Sequence, residues 1–237
     1  MQTTKILLEE VKALSDPDRA IIFARFFKSG PSQYGEGDKF LGIMVPQVRQ
    51  LVGKYYRQLE HSDLDQLLSS PYHEIRLFAL LVLVKKYQQT KLEEEKTNLY
   101  KYYLANRVHI NNWDLVDVTT PQLVGDYLLT HPRDILYQLA SSDNLWERRI
   151  SIMATFAFIR AGEYEDTIKI SKILLHDSHD LIHKAVGWML REMGKKDKSL
   201  LINYLNESAS VMPRTMLRYS IEKLTEAERQ YYLKKKR

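Results

Sequence analysis

The feature that most restricts this chain is a helix-opening pattern that returns about every 35 residues. Tyr72-His73-Glu74-Ile75-Arg76-Leu77-Phe78-Ala79, Leu145-Trp146-Glu147-Arg148-Arg149-Ile150-Ser151-Ile152, Leu181-Ile182-His183-Lys184-Ala185-Val186-Gly187-Trp188 and Pro213-Arg214-Thr215-Met216-Leu217-Arg218-Tyr219-Ser220 each begin a helical stretch after a polar break. Each carries a basic residue near its first turn. Aligned on Arg76, Trp113, Arg149, Lys184 and Arg218, the register advances by 37, 36, 35 and 34 residues. A helix pair cannot bury its apolar face alone, so units recurring at this period stack on their neighbours. The pattern predicts an all-α fold, an α-solenoid of HEAT-like helical repeats, with either hand of superhelix open. Equivalent positions of stacked repeats lie side by side, so basic residues in register are expected to line a concave groove. Isolated Lys and Arg are usually solvated charge, whereas a basic stripe in a concavity fits a rod of phosphates.

The rest of the chain agrees with helices joined by short breaks. Residues 3–14 form an amphipathic pattern interrupted by charges, which does not read as a signal peptide. Asp16-Pro17 has the chemistry of an N-cap followed by Pro at the first helical position, opening a second helix through about Phe27. Helices are then expected from Pro46 to Tyr56 and through a series that includes Glu74–Tyr87, Trp113–Leu129, Leu145–Arg160, Ile182–Met193 and Arg214–Leu224. Gly30–Lys39 holds three of the nine glycines and cannot continue a helix, so it is a loop or a short β-hairpin near 30–41. No Pro/Ser-rich linker interrupts the 237 residues, which are read as one domain. The chain has no cysteine, which excludes disulfides, Cys-ligated zinc, iron–sulfur clusters and thiol nucleophiles. No apolar run approaches a spanning helix, and a cytoplasmic monomer without membrane contact is expected. The net charge of +5 permits a polyanionic partner without requiring one.

One stretch carries a second signal. In Ile110-Asn111-Asn112-Trp113-Asp114-Leu115-Val116-Asp117 a helical reading puts Trp113 and Asp117 four residues apart on one face. An indole face and a carboxylate aimed into the same space suit a site that holds positive charge. The plainer alternative is a buried Trp beside a solvated Asp. In the repeat register Trp113 stands where the other units place a basic residue.

The blocks NNWDLVD, SSDNLWERR, HKAVGWMLRE and FLGIMVPQVRQL resemble those of the AlkD-type HEAT-like repeat DNA glycosylases, the DNA alkylation repair enzymes. The likeness runs in order over nearly the whole chain. It implies a catalytic centre of two tryptophans and an aspartate in the concave groove, supported by an arginine. Block by block these fall on Trp113, Asp117, Trp188 and Arg149. The implied reaction hydrolyses the N-glycosidic bond of cationic N3- or N7-alkylated purines in duplex DNA, without base flipping and without a cofactor. The chemistry is consistent with these residue types. A cationic base is already a good leaving group, so the acid that ordinary glycoside hydrolysis needs becomes unnecessary. One carboxylate can stabilise oxocarbenium character and orient water, and each indole face adds roughly 0.5–2 kcal/mol of cation–π stabilisation. No lysine adjoins the Trp–Asp pair, so strand cleavage through an imine is not expected.

Candidate DNA contacts are Arg49, Arg148, Lys184 and Arg191, of which Arg49 and Arg191 rest partly on the resemblance, and Arg148 has the alternative of pointing away from the groove. The family's DNA-contacting Tyr falls on Phe26, which keeps the ring and loses the hydroxyl. Pro31–Lys39 is longer than in the best-understood glycosylases, and some relatives in the superfamily have a β-hairpin here, show little or no glycosylase activity and prefer branched DNA. The resemblance therefore also implies a second reading: a weakly active or non-catalytic binder of branched or distorted DNA, with Tyr34 and Lys39 as contacts. A third is a scaffold whose groove binds an acidic protein segment. His176, His179 and His183 have ligand chemistry but fall at a predicted turn, where capping is the ordinary role, and no metal is expected. Trp146 and most of the 15 tyrosines read as packing. The tail Lys234-Lys235-Lys236-Arg237 reads as solvated charge that can add nonspecific DNA affinity.

Overall fold

A computed structural model of the chain describes residues 2–235, so the last two positions of the basic tail lie outside the described residues. The fold is all-α, of the α-solenoid class, with fourteen α-helices and no strand among the described residues. Cα packing divides it between Thr119 and Thr120 into two compact units, taken in turn below.

The first unit contains α1 (Gln2–Ala13), α2 (Pro17–Phe26), α3 (Val45–Tyr55), α4 (His61–Leu68), α5 (His73–Gln89), α6 (Glu93–Ala105) and α7 (Trp113–Asp117). Its centre is α5, because Leu77–Val84 is an unbroken apolar run that leaves no polar face to turn to water. Those eight residues are all buried, and α3, α4 and α6 pack around them. At roughly 1.5–3 kcal/mol per large aliphatic side chain, this helix is the unit's main source of cohesion. The N-cap expected at Asp16 is present, its carboxylate accepting from Arg19 N–H at 2.9 Å. Residues 30–41 take the loop alternative. They form successive turns with a single bridge pair, Lys39 with Tyr72, and no β-hairpin.

The helix expected over 113–129 stops early. α7 ends at Asp117, and Pro121–Gly125 winds as a π-helical turn. Pro121 supplies no N–H, and its ring clashes with the carbonyl four residues back, which is that of Asp117. The helix expected to Leu224 likewise ends at Ser220.

The second unit contains α8 (Asp134–Ala140), α9 (Leu145–Ala161), α10 (Glu165–Ile173), α11 (Asp180–Lys196), α12 (Lys198–Ser208), α13 (Arg214–Ser220) and α14 (Glu226–Lys234). Here α9 takes the central place and packs against α8, α10, α11 and the π turn, while α11 packs against α9, α12 and α13. Polar side chains open the helices at the predicted breaks: Asn144 accepts from Trp146 N–H, His179 from Leu181 N–H and Asp197 from Leu200 N–H. Trp146 is buried, as a packing residue should be. The α11–α13 contact depends on Gly187, where a Cβ would meet Tyr219 Cβ at 2.5 Å and the Met216 carbonyl oxygen at 2.6 Å. Gly187→Ala should therefore force the two helices apart and cost about 1–3 kcal/mol. A lowered Tm in calorimetry checks this, and an unchanged Tm would contradict the close packing.

Candidate active site

The caps give each repeat helix a register independent of sequence alignment. Counting from N-caps Tyr72, Asn112, Asn144, His179 and Pro213, the fourth helical residues are Arg76, Val116, Arg148, His183 and Leu217. The fifth are Leu77, Asp117, Arg149, Lys184 and Arg218. The alignment of Arg76 with Arg149 and Lys184 was thus one residue out of step, and the hydrogen bonds confirm the shift. Arg76 donates to the Ser70 carbonyl, Arg148 to that of Ser142 and His183 to that of Asp177, each six residues back. Fourth-position side chains Arg76, Arg148 and His183 close the turn that precedes their own helix. The residue out of character at the fifth position is Asp117, a carboxylate where later repeats hold Arg149, Lys184 and Arg218. Trp113 lies one turn earlier, at the first helical position.

In the first unit, α7 is too short to hold itself in place, since isolated helices below about 12–15 residues are marginal. Its order comes from a buried polar network. Asn112 is fully buried; its Oδ1 accepts from Trp113 N–H at 2.9 Å. Asp38, from the 30–41 loop, accepts from Arg76 at 2.7 Å and from Asn111 Nδ2 at 2.7 Å. His73 lies between two carboxylates, with Nδ1 3.2 Å from Asp38 and Nε2 2.8 Å from Asp114. All of Asp38, His73, Arg76, Asn112 and Asp114 are buried. Burial works to strip the proton from His73, but Asp114 and Asp38 outweigh it and raise its pKa to about 9. Burial likewise pushes Asp38 up, yet hydrogen bonding from His73, the Arg76 guanidinium and Asn111 bring its pKa below the usual carboxylate value. The imidazole is thus an imidazolium donating from both nitrogens.

The loop's downstream end is held by a second buried anion. The Glu74 carboxylate accepts from the N–H groups of Leu41, Gly42 and Ile43 at 2.8–3.3 Å. Around the network the aromatic rings form a continuous cluster. Phe27 stacks with His73 at 4.8 Å, with Phe40 at 5.3 Å and with Trp113 at 5.5 Å between centroids. Phe26 meets Trp113 edge-on at 5.8 Å and is otherwise 59 % exposed. Trp113 and Asp117 are both half-buried, and the predicted sharing of one helix face by Trp113 and Asp117 is retained in α7.

In the second unit, Arg149 is buried and donates to the Leu181 carbonyl at 2.5 Å, which joins α9 to the start of α11. Trp188 is half-buried on α11, tilted against Phe156 at 5.9 Å, and its Nε1–H donates to Glu192 at 3.2 Å. Arg148 is occupied by Asp177 at 2.6 Å and by the Ser142 and Asp143 carbonyls. Arg191 is paired with Glu222, and Lys184 with Asp180 at 2.7 Å. Arg49 and Lys39 are exposed, and Tyr34 is half-buried. His179 and His183 serve the turn at α11, as capping predicts.

The site residues missed in the sequence are Asp38, His73, Asp114, Asn111 and Asn112. A signal for them was present: His73, Glu74 and Arg76 open a helix that is apolar on every side, so they are buried and need partners.

An all-helical repeat protein with a Trp–Asp helix held by buried ions is the class defined so far. The chain matches the model of the family described as DNA alkylation repair enzyme over residues 7–224, and it belongs to that family. It is also similar to the solved structure titled "Predicted DNA alkylation repair enzyme from Enterococcus faecalis", with a TM-score of 0.68, 18 % identity, 90 % of this chain covered and 97 % of that one. That likeness shows the fold. No curated protein matches the chain.

The imidazolium makes stability depend on pH in a defined direction. Because the folded pKa of His73 lies above its ordinary 6.5, its contribution is complete below about pH 6.5 and is lost as pH rises through about 9. Asp38, shifted the other way, contributes above the ordinary carboxylate value near 3.8 and is lost as pH falls below it. Tm measured from pH 7 to 10 should decline by a few degrees, and the decline should shrink in His73→Gln.

Proposed function

We propose that this protein is a monofunctional DNA glycosylase acting on cationic N3- or N7-alkylated purines in duplex DNA. Trp113, Asp117, Arg149 and Trp188 would form its catalytic set. Family membership supports a role in DNA alkylation repair and, with it, binding to DNA. The observation that carries the finer reading is Asp117 itself. It stands on a half-exposed helix face with an indole one turn away, at the repeat position that Arg149, Lys184 and Arg218 fill elsewhere. A carboxylate beside an aromatic face, at a position that later repeats give to basic residues, suits a cation that develops during the reaction.

In the reaction the C1′–N bond breaks and its electron pair leaves with the alkylated base, neutralising the base's charge. Water oxygen bonds to C1′, its proton goes to solvent or transiently to Asp117, and an abasic site remains. Asp117 stabilises the sugar cation and orients the water. The indoles of Trp113 and Trp188 contact the sugar and add cation–π stabilisation. Arg149 holds the start of α11, seven residues before Trp188. No step draws on a base pocket, so bulky cationic adducts should be accepted and neutral lesions processed poorly.

Exposed Arg49 and Lys39 remain the best placed of the candidate phosphate contacts. A branched-DNA role for the 30–41 segment draws less support, because Asp38 and the backbone of residues 41–43 are committed to the buried network. The test is release of methylated purine from alkylated duplex DNA. The wild type should release base, and Asp117→Asn should lose about 10²–10³-fold in rate. Trp113→Phe and Trp188→Phe should each lose no more than about 30-fold, the rate equivalent of roughly 2 kcal/mol. Comparable losses in all three variants would refute the ranking, and no release by the wild type would refute the activity.

A further inference from the structure

We propose that His73 is a positioning residue for the candidate catalytic helix, locking Trp113 and Asp117 in place through Asp114 on one side and Phe27 on the other. This rests on the reading of Trp113 and Asp117 given above.

The geometry converges on this one ring. α7 is five residues long, so its placement must be supplied by tertiary ties. Asp114, its second residue, is held by His73 Nε2 at 2.8 Å. Its other oxygen, Oδ1, is buried without a hydrogen-bond partner. Asn111 and Asn112, immediately before the helix, reach Asp38 at 2.7 and 3.5 Å, and Asp38 faces His73 Nδ1. On its flank the His73 ring stacks with Phe27, and Phe27 stacks with Trp113.

The charged groups around the ring come from three elements. Asp114 lies on α7 and Asp38 on the loop. Arg76 and Glu74 lie on α5, where Arg76 binds Asp38 and Glu74 is turned to the backbone N–H groups of residues 41–43. Phe27, the residue that caps the C-terminus of α2, contributes its ring. Neutral imidazole has one N–H, so loss of the proton sets a lone pair against one buried carboxylate. Asp38 keeps Arg76 and Asn111 as donors. Asp114 has no second donor among the described residues, so the remaining N–H stays on Nε2 with it and the lone pair on Nδ1 faces Asp38, whose bonds to Asn111 and Asn112 pass the disturbance to the start of α7. Charge on His73 is therefore coupled to the position of the indole and of Asp117. The site then has an alkaline limit set by a residue that touches neither DNA nor the reacting atoms.

The experiment uses the full chain and two independent readouts. The first is the rate of methylpurine release across pH 7–10. His73→Gln should lower kcat by about ten- to a hundredfold, the scale of a small misplacement, with KM little changed and the alkaline fall near pH 9 abolished. The second is the indole N–H resonance of Trp113, identified by its absence in Trp113→Phe. In the wild type it should shift with a midpoint near pH 9, and in His73→Gln it should not. A folded His73→Gln variant with the wild-type rate and pH profile would overturn the proposal, as would a Trp113 resonance that stays still from pH 7 to 10. If His73→Gln does not fold, Asp114→Asn should move that midpoint to lower pH, and an unmoved midpoint counts against the coupling. The resonance needs no turnover, so absence of base release with a titrating indole would strike the glycosylase reading alone.

Discussion

Two carboxylates buried against a single imidazole are the constraint on which the first unit depends. Asp38 and Asp114 cannot both be anionic beside His73 unless that ring is a cation, and a buried cation is tolerated only with such partners. The cluster is close to self-satisfying: Arg76 and Asn111 complete Asp38, and Asn112 turns its oxygen to the first N–H of α7. It joins three pieces of chain with little apolar area of their own, namely the 30–41 loop, the opening of α5 and the stretch 111–114. Without it the five residues of α7 would keep only the burial of Leu115 and Val116 and the ring contacts of Trp113, while apolar packing along α5 persisted.

The amino-acid sequence revealed the scaffold and only part of this site. Helices were legible because the apolar spacing is helical and because Asp16-Pro17 marks a start with unambiguous chemistry. Trp113 and Asp117 stood out as a pair because helical spacing alone puts them on one face. The repeat register was misplaced by one residue because Arg148-Arg149 and His183-Lys184 each offer two adjacent candidates, and sequence spacing cannot say which one turns inward. Only the bonds to carbonyls six residues back separate them. The buried network was legible only as a need for partners at His73, Glu74 and Arg76, not as the partners themselves. Asp38 lies 35 residues before His73 and Asp114 lies 41 residues after it, so no local pattern joins them.

The arginines show how a count of positive charge misleads when it is read as a binding surface. Arg76 and Arg149 occupy the predicted basic register, yet both are buried and bonded to carbonyl oxygens, with Asp38 as a further partner of Arg76. Arg148 is held by Asp177 and by two carbonyls. The planar guanidinium suits this work because its five donors can satisfy several acceptors at a repeat junction at once. These side chains are structural cations first. Among the candidate phosphate contacts, Arg49 and Lys39 are exposed, and no recurring pattern singles them out.

The same reasoning sharpens the place of Asp117. In later repeats the fifth helical position carries Arg149, Lys184 and Arg218, of which Arg149 is buried and spent on the backbone of Leu181. A carboxylate at that position in α7 cannot repeat this role, since it has no hydrogen to give to a carbonyl. A repeat that forgoes its junction donor must be held by other means, and the His73 network supplies them through Asp114, three residues earlier on the same helix. The local departure and the buried ions are thus two sides of one arrangement. The imidazolium clamp holds α7 while Asp117 stays half-exposed on the helix that carries Trp113. Local rules tend to be broken where a chain does chemistry, and in this unit the break falls at Asp117.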